Sequence, residues 1–140
     1  MTRLLFDTTF LIDAERSGDD LDEVINDDDD IAIAAVTVAE LRVGALLADR
    51  RRKASRSAYV DDIITTIPVI DYDLDVAAAH AELLVEVRSQ GSPRVAHDLI
   101  IAATAKASDR TIITADRTAF RALPGVDVRA HRGDGATTRL

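Results

Sequence analysis

The sequence predicts one α/β domain in which helices flank a mainly parallel central sheet of four to five strands. Three observations support this class. Short apolar runs without polar alternation recur along the chain, which is typical of strands covered on both faces. Stretches with helical periodicity separate these runs, as in the units that build a parallel sheet. Acidic residues follow within two positions of the end of two of the runs, and ligands bind at such strand ends in open α/β sheets.

Length and composition narrow the class further. The chain has 140 residues, which is enough for one buried core but not for two. It has no cysteine, and this absence excludes disulfides, thiolate catalysis and the usual zinc sites. We place the domain at residues 1–130 and a flexible tail at 131–140. Asp7 interrupts the N-terminal apolar run, and no run is long enough to span a bilayer. We therefore expect a soluble cytoplasmic protein without a secretory signal.

Most of the negative charge lies in one segment. The net charge is -8, and residues 13–30 contain ten acidic residues and one basic residue. The remainder of the chain is therefore close to neutral, and the total charge does not exclude a nucleic-acid partner. Within this segment, residues 21–25 predict one or two helical turns. The four acids at 27–30 predict a solvated loop, because adjacent carboxylates point in different directions.

The first predicted unit is a strand at residues 4–6, a turn at Asp7 and a helix from Thr8 to about Arg16. Asp7 thus lies at the mouth of a crevice, or it only caps the helix. A second strand is predicted at 31–34, before a helix that contains Thr37 and Glu40. These two residues match a capping box, in which Glu40 bonds the helix's own first amides. Alternatively, Glu40 reaches the crevice beside Asp7, and the two roles are hard to combine.

A dense basic run starts the next helical region, which continues to about Ile64. We treat Arg51, Arg52 and Lys53 as candidate contacts to RNA phosphates or to a protein partner, with a solvated helix face as the alternative. A third strand follows at 68–70. The next helix is predicted to run from an Asp73 cap to Gly91, and His80 falls on its core face or rim.

The last elements carry two more acids. A buried helix is predicted from about His97 to residue 107, and Asp98 in its first turn either interacts with the helix dipole or joins the crevice. His97 could orient a water or a carboxylate, and a cap or surface role is the alternative. A fourth strand at 111–114 ends just before Asp116, which repeats the arrangement at Asp7. Residues 126–128 predict a short edge strand.

Taken in order, four motifs resemble those of PIN-domain ribonucleases, in particular the toxin subunits of VapBC-type toxin–antitoxin pairs. The motifs are LLFDTTFLID, TVAELRVG, HDLIIAATA and IITADRTAF, and the resemblance extends over residues 4–128. The family's acidic positions correspond to Asp7, Glu40, Asp98 and Asp116, with Thr8 and Thr114 as hydroxyl neighbours. Members often have a further acid where this chain has Ala119, which puts full occupancy of a second metal site in doubt.

The resemblance implies a metal-dependent endoribonuclease that hydrolyses RNA phosphodiester bonds. Converging carboxylates need a cation, and ligands that are all oxygen favour Mg²⁺ or Mn²⁺. We expect Asp7, Asp98 and Asp116 to hold the metal, with Glu40 holding a ligand or the attacking water. The resemblance also implies an antitoxin with a basic side chain in the acidic pocket, and a homodimer within a larger assembly.

Other classes also place an aspartate at a strand end. Phosphotransferases of the haloacid-dehalogenase type normally need a second acid two residues later, where this chain has Thr9. Receiver domains need a well-placed lysine, and the chain has only Lys53 and Lys106. We discount both classes. A non-catalytic α/β binding module, in which all four acids are helix caps, stays open as the alternative.

Overall fold

The structure, a computed structural model, describes residues 2–18, 26–91, 93–131 and 138–139. Within these residues a six-stranded sheet has the order β3-β2-β1-β4-β5-β6, and all neighbours are parallel except β5 and β6. The predicted α/β class is confirmed. The strands are β1 (Arg3–Phe6), β2 (Asp30–Ala34), β3 (Val69–Ile70), β4 (Thr111–Thr114), β5 (Val128–Ala130) and β6 (Thr138–Arg139). The helices are α1 (Thr8–Ser17), α2 (Ala35–Leu47), α3 (Arg50–Thr66), α4 (Leu74–Gln90), α5 (Ala96–Ser108) and the 3₁₀ helix Arg117–Phe120.

Helices cover both faces of the sheet, which explains why its strands lack polar alternation. In β1, Leu4 and Phe6 point into a core formed with α1, α2 and α3, while Leu5 points into a core formed with α4 and α5. Ile113 and Ile112 of β4 divide between the two cores in the same way. Since successive residues of a strand face opposite sides, a strand buried on both sides must be apolar throughout.

The predicted helix signals differ in their outcome. Asp73 caps α4 by accepting a hydrogen bond from the amide of Val76, and Gly91 ends the helix with φ of 69°, both as expected. The prediction of a capping box formed by Thr37 and Glu40 is wrong. Strand β2 runs directly into α2, so the helix begins at Ala35 and its N-cap, Ala34, has no side-chain bond.

The remaining predictions concern the ends of elements. Asp30 was predicted to end the acidic loop, but it is the first residue of β2. The edge strand was predicted at 126–128, but β5 begins only at Val128. That strand is not the edge, since β6 pairs with it. The turns predicted at 21–25 lie outside the described residues, as do positions 132–137 and 140 of the predicted tail.

Arg110 joins three strands at the end of the sheet opposite Asp7. Its side chain is only 9% exposed. Nη1 donates to the carbonyl oxygens of Leu4 at 3.3 Å and Asp30 at 2.7 Å, and it lies 3.1 Å from Asp30 Oδ1. Removing this buried guanidinium would remove its hydrogen bonds to these oxygens. We therefore expect Arg110 to contribute to the free energy of unfolding.

We expect Arg110→Met to lower the free energy of unfolding by about 2–3 kcal/mol, because the methionine fills the space but donates no hydrogen bond to the two carbonyl oxygens or to the Asp30 carboxylate. Arg42→Met is the matched control, since Arg42 pairs with Asp61 at 2.8 Å with both side chains largely exposed. This control should cost less than about 1 kcal/mol. Urea denaturation measures both, and equal losses would contradict the role given to Arg110.

Candidate active site

Asp7 lies at the carboxyl end of β1 and is almost fully buried, at 2% exposure. Its Oδ1 accepts a hydrogen bond from the amide of Phe10 at 2.8 Å, so it does cap α1. Its Oδ2 accepts from the hydroxyl of Thr114 at 2.5 Å, and the Thr9 hydroxyl lies 2.9 and 3.0 Å from the two oxygens. Capping thus uses one lone pair of a carboxylate that also faces β4.

Burial raises the pKa of Asp7 from 3.8 to about 6. The hydrogen bonds from Thr114, Phe10 and Thr9 act in the opposite direction, and the negative charge of Asp98 adds to the rise. The carboxylate is therefore held in a place where its own charge is unfavourable unless a cation neutralises it.

Asp116 follows β4, the strand beside β1, as expected from the parallel arrangement. Its Oδ1 accepts from the amide of Thr118 at 3.0 Å and from the Thr118 hydroxyl at 2.8 Å, so it caps the 3₁₀ helix. The amide of Asp116 donates to Thr114 Oγ1 at 3.0 Å. The Thr114 hydroxyl consequently connects the two strand-end aspartates.

Glu40 reaches the same region from α2. The Thr8 hydroxyl donates to its Oε1 at 2.7 Å, and Nδ1 of His97 lies 3.4 Å from its Oε2. Thr8 and His97 come from α1 and α5, so three helices fix this side chain. Glu40 is therefore directed into the crevice and does not cap its own helix.

Asp98 is the member of the acidic group that α5 contributes. The N-cap of α5 is Val95, which makes no side-chain bond, and Asp98 lies in the first turn. Burial, Glu40 and Asp116, in that order, raise the pKa of Asp98, while the charges of His97 and Arg94 lower it. Since Asp7 also senses its charge, Asp98 interacts electrostatically with the other three acids.

The four carboxylates thus form one group, which we call the acidic cluster: Asp7, Glu40, Asp98 and Asp116. Two of its members cap helices and two do not, so capping alone does not explain the set. The predicted hydroxyl neighbours, Thr8 and Thr114, both donate to cluster carboxylates.

A divalent cation fits the chemistry of these donors. All are carboxylate oxygens, and burial together with mutual repulsion raises the pKa of Asp7 and Asp98, which a bound cation would reverse. Among the described residues, no three acidic or histidine side chains lie close enough to enclose one ion directly. Mg²⁺ commonly binds through one or two carboxylates and keeps several waters, which agrees with this spacing.

Sequence reasoning missed or underrated some neighbours of the cluster. The hydroxyl of Thr9 donates to the carboxylate of Asp7, two residues earlier in the chain. This short spacing could have indicated Thr9 as a neighbour of the site. Arg94 donates to the carbonyl oxygens of Ala119, at 3.2 Å, and Arg121, and so holds the 3₁₀ segment beside α5. Position 119, where family members often have an acid, is an alanine that packs against the apolar core. It therefore contributes no carboxylate to the acidic cluster.

Known proteins resemble this chain in sequence and in fold. The model of the PIN domain family matches residues 4–126. The chain belongs to the PIN domain family. Ribonuclease VapC5 of Mycobacterium tuberculosis is 37% identical over 124 residues, which cover 86% of this chain and 87% of VapC5.

Solved structures agree with this assignment. VapBC-5 of Mycobacterium tuberculosis, described as a member of the VapBC family of toxin-antitoxin systems, matches with a TM-score of 0.74 and 29% identity over 91% of this chain and 98% of that chain. VapBC2 from Rickettsia felis, bound to a DNA fragment from its promoter, matches with a TM-score of 0.85 over 94% of this chain and 100% of that chain. At 21% identity it supports the fold alone.

Two further predictions concern the surface. Arg51, Arg52 and Lys53 lie in the first turn of α3 and are exposed. They are not part of the acidic cluster. None of the helices in the described ranges is long and apolar enough to cross a membrane.

Proposed function

We propose that this PIN-domain protein is a divalent-metal-dependent endoribonuclease and the toxin of a toxin–antitoxin pair. The observation that carries the proposal is the acidic cluster, in which Asp98 of α5 interacts with Glu40 of α2 and with two aspartates that follow strands β1 and β4. The ribonuclease name of VapC5 and the toxin–antitoxin description of VapBC-5 support the same activity. The non-catalytic alternative loses its basis, because Glu40 and Asp98 do not cap helices.

Asp7, Asp98 and Asp116 would hold Mg²⁺ or Mn²⁺ through their carboxylate oxygens. Such an ion, when bound, would lower the pKa of a water and would place positive charge beside the scissile phosphate. Glu40 orients the attacking water, because Thr8 fixes one of its oxygens and leaves the other near His97. Thr114 keeps the carboxylate of Asp7 aligned with Asp116.

An active nuclease in the cytoplasm requires restraint by a partner. We propose an antitoxin that covers the acidic cluster and places a basic side chain among its carboxylates. Such a cation replaces the metal's charge and lowers the pKa of Asp7 and Asp98 in the same way. Self-association of the chain as a homodimer stays a prediction.

The direct test is cleavage of a labelled single-stranded RNA by the purified protein in Mg²⁺, in Mn²⁺, in Ca²⁺ and in chelator. We expect cleavage with the first two ions and none in chelator, since the carboxylates alone cannot supply the metal-bound water. Asp98→Asn, purified from the same host in the same way, controls for contaminating ribonucleases. Cleavage in chelator, or equal cleavage by the variant, would refute the proposal.

A further inference from the structure

The side chain of Arg94 joins the start of α5 to the end of the 3₁₀ helix. Arg94 lies in the connection between α4 and α5, directly before Val95, the N-cap of α5, and it is half-buried. Its Nη1 donates to the carbonyl oxygen of Ala119 at 3.2 Å, and its Nη2 donates to the carbonyl oxygen of Arg121. One guanidinium therefore connects two segments that are distant in the sequence.

Each of these segments carries a carboxylate of the acidic cluster. On one side, the carbonyl oxygen of Val95, the residue after Arg94, accepts a hydrogen bond from the amide of Asp98 at 3.1 Å. On the other side, Asp116 is the N-cap of the 3₁₀ helix whose end Arg94 binds. Arg94 thus joins the backbone beside Asp98 to the backbone beside Asp116.

The segment that begins at Asp116 needs a directional contact to face α5. The Asp116 carboxylate is exposed and accepts hydrogen bonds from Thr118 of its own segment, and its amide donates to Thr114 of β4. A 3₁₀ helix has poor hydrogen-bond geometry of its own. Phe120, at 3% exposure, anchors this one in the core, but apolar packing has no direction. The planar guanidinium of Arg94 donates in fixed directions, so it can fix the orientation of the segment.

The charge of Arg94 acts on a metal site in the opposite sense to its hydrogen bonds. Burial raises the pKa of Asp98, and the charge of Arg94 is among those that lower it, so the guanidinium is close enough for its charge to act on the acidic cluster. The same charge would repel a bound cation. A role for Arg94 in metal binding must therefore come from the position it gives to the carboxylates and not from its charge.

We propose that Arg94 is a positioning residue of the metal site, an inference that rests on the proposed function. Its two hydrogen bonds hold the 3₁₀ segment against the start of α5, so that Asp98 and Asp116 can bind the same cation. Two carboxylates from separate segments bind one ion well only when both are already in place. Replacing residues that orient metal ligands typically lowers metal affinity about 10–100-fold. Arg94 acts through the backbone and needs no contact with the ion or with RNA.

Metal binding by the RNA-free protein tests this role. The affinity for Mn²⁺ is measured by titration with EPR detection for the wild type, Arg94→Met and Arg94→Lys, at a temperature well below all their melting temperatures. We expect Arg94→Met to raise the Kd for Mn²⁺ about tenfold, although it removes a repelling charge. Arg94→Lys keeps the repulsion but loses the planar fork, so it should bind Mn²⁺ no better than Arg94→Met.

Gln90→Met is the matched control. Gln90 of α4 donates to the carbonyl oxygen of Ala122 at 2.9 Å, so it bonds the same turn just beyond the 3₁₀ helix, but without a charge. Removing this bond loosens the turn farther from Asp116. We expect the Kd of Gln90→Met for Mn²⁺ to stay within twofold of the wild-type value.

The Mg²⁺ requirement of RNA cleavage is a second measurement. In Arg94→Met the Mg²⁺ concentration for half-maximal cleavage should rise about tenfold. The kcat at saturating Mg²⁺ should stay within threefold of the wild type, because both carboxylates are in place once the site is filled. If Arg94 served only the stability of the fold, the variant would melt at a lower temperature and the required Mg²⁺ concentration would not change.

The outcomes separate this inference from the proposed function. A Kd for Mn²⁺ that is unchanged or lower in Arg94→Met, or that rises equally in Gln90→Met, overturns the role of Arg94, while cleavage by the wild type upholds the nuclease. If the wild type binds Mn²⁺ more tightly than Arg94→Met but never cuts RNA, the nuclease is refuted and the role of Arg94 stands. A wild type that binds no Mn²⁺ refutes both.

Discussion

Asp98→Asn is expected to stop RNA cleavage and, in chelator, to melt at a higher temperature than the wild type. Activity should fall about 10³-fold or more, since the carboxylate that interacts with all the others no longer helps to hold the metal. Without metal, burial and then repulsion by Glu40 and Asp116 disfavour the charge of Asp98 and raise its pKa. Removing that charge should stabilise the fold by roughly 1 kcal/mol after solvent screening, or about 3–5 °C.

The response to Mg²⁺ should reverse this order. A ligand that binds only the folded state raises its stability according to concentration and affinity, so the wild type should gain melting temperature and Asp98→Asn much less. Asp75→Asn is the control, because Asp75 also lies in the first turn of its helix, α4, and is exposed. It should lose a few tenths of a kcal/mol through the helix dipole and keep full activity. An Asp98→Asn protein that melts lower in chelator yet responds fully to Mg²⁺ would falsify the placement of Asp98 at the metal.

Features set by neighbours in the chain could be predicted from the sequence. The run at Leu4, Leu5 and Phe6 shows burial on both faces, and the caps at Asp73 and Gly91 are local choices of side chain and backbone. The parallel order then places Asp7 and Asp116 at adjacent strand ends. These inferences needed only the periods of helices and strands and the chemistry of turns.

Features set by contacts between distant residues could not be predicted from the sequence. The capping box of Thr37 and Glu40 matches a local pattern, but where a helix starts depends on how strand β2 enters it. The bond from Thr8 to Glu40 joins residues 32 positions apart. The basic run of α3 shows the same limit, since consecutive residues on a helix point in different directions. Of Arg51, Arg52 and Lys53, only Arg52 lines a surface hollow that Arg16 of α1 also lines.

Asp7→Asn should give the largest gain in stability, because Asp7 is the most deeply buried member of the acidic cluster. Asparagine can still accept the Phe10 amide bond through its oxygen, and its NH₂ group can donate to the hydroxyl oxygens of Thr9 and Thr114. The negative charge, which burial disfavours, is gone. At neutral pH in chelator we expect a gain of about 2–3 kcal/mol, or about 10 °C in melting temperature, and complete loss of cleavage.

The stability difference between the wild type and Asp7→Asn should increase with pH. The folded protein binds the Asp7 proton with a pKa of about 6, against 3.8 in the unfolded chain. The wild type is therefore favoured by protonation at low pH, and it loses that stability as the pH rises through the interval between these values. Asp7→Asn has nothing to titrate there, so the two proteins should be about equal near pH 4 and differ fully above pH 6.

Asp49→Asn separates this effect from helix capping. Asp49 caps α3 by accepting a hydrogen bond from the amide of Arg52 at 3.0 Å, three residues along, as Asp7 does for Phe10, but on the exposed surface. Asparagine caps about as well as aspartate, so this variant should match the wild type at every pH. If Asp7→Asn behaves like Asp49→Asn in chelator, Asp7 is a cap only. If instead its advantage grows with pH and is cancelled when Mg²⁺ stabilises the wild type, then the fold tolerates an unfavourable buried charge because the metal needs it.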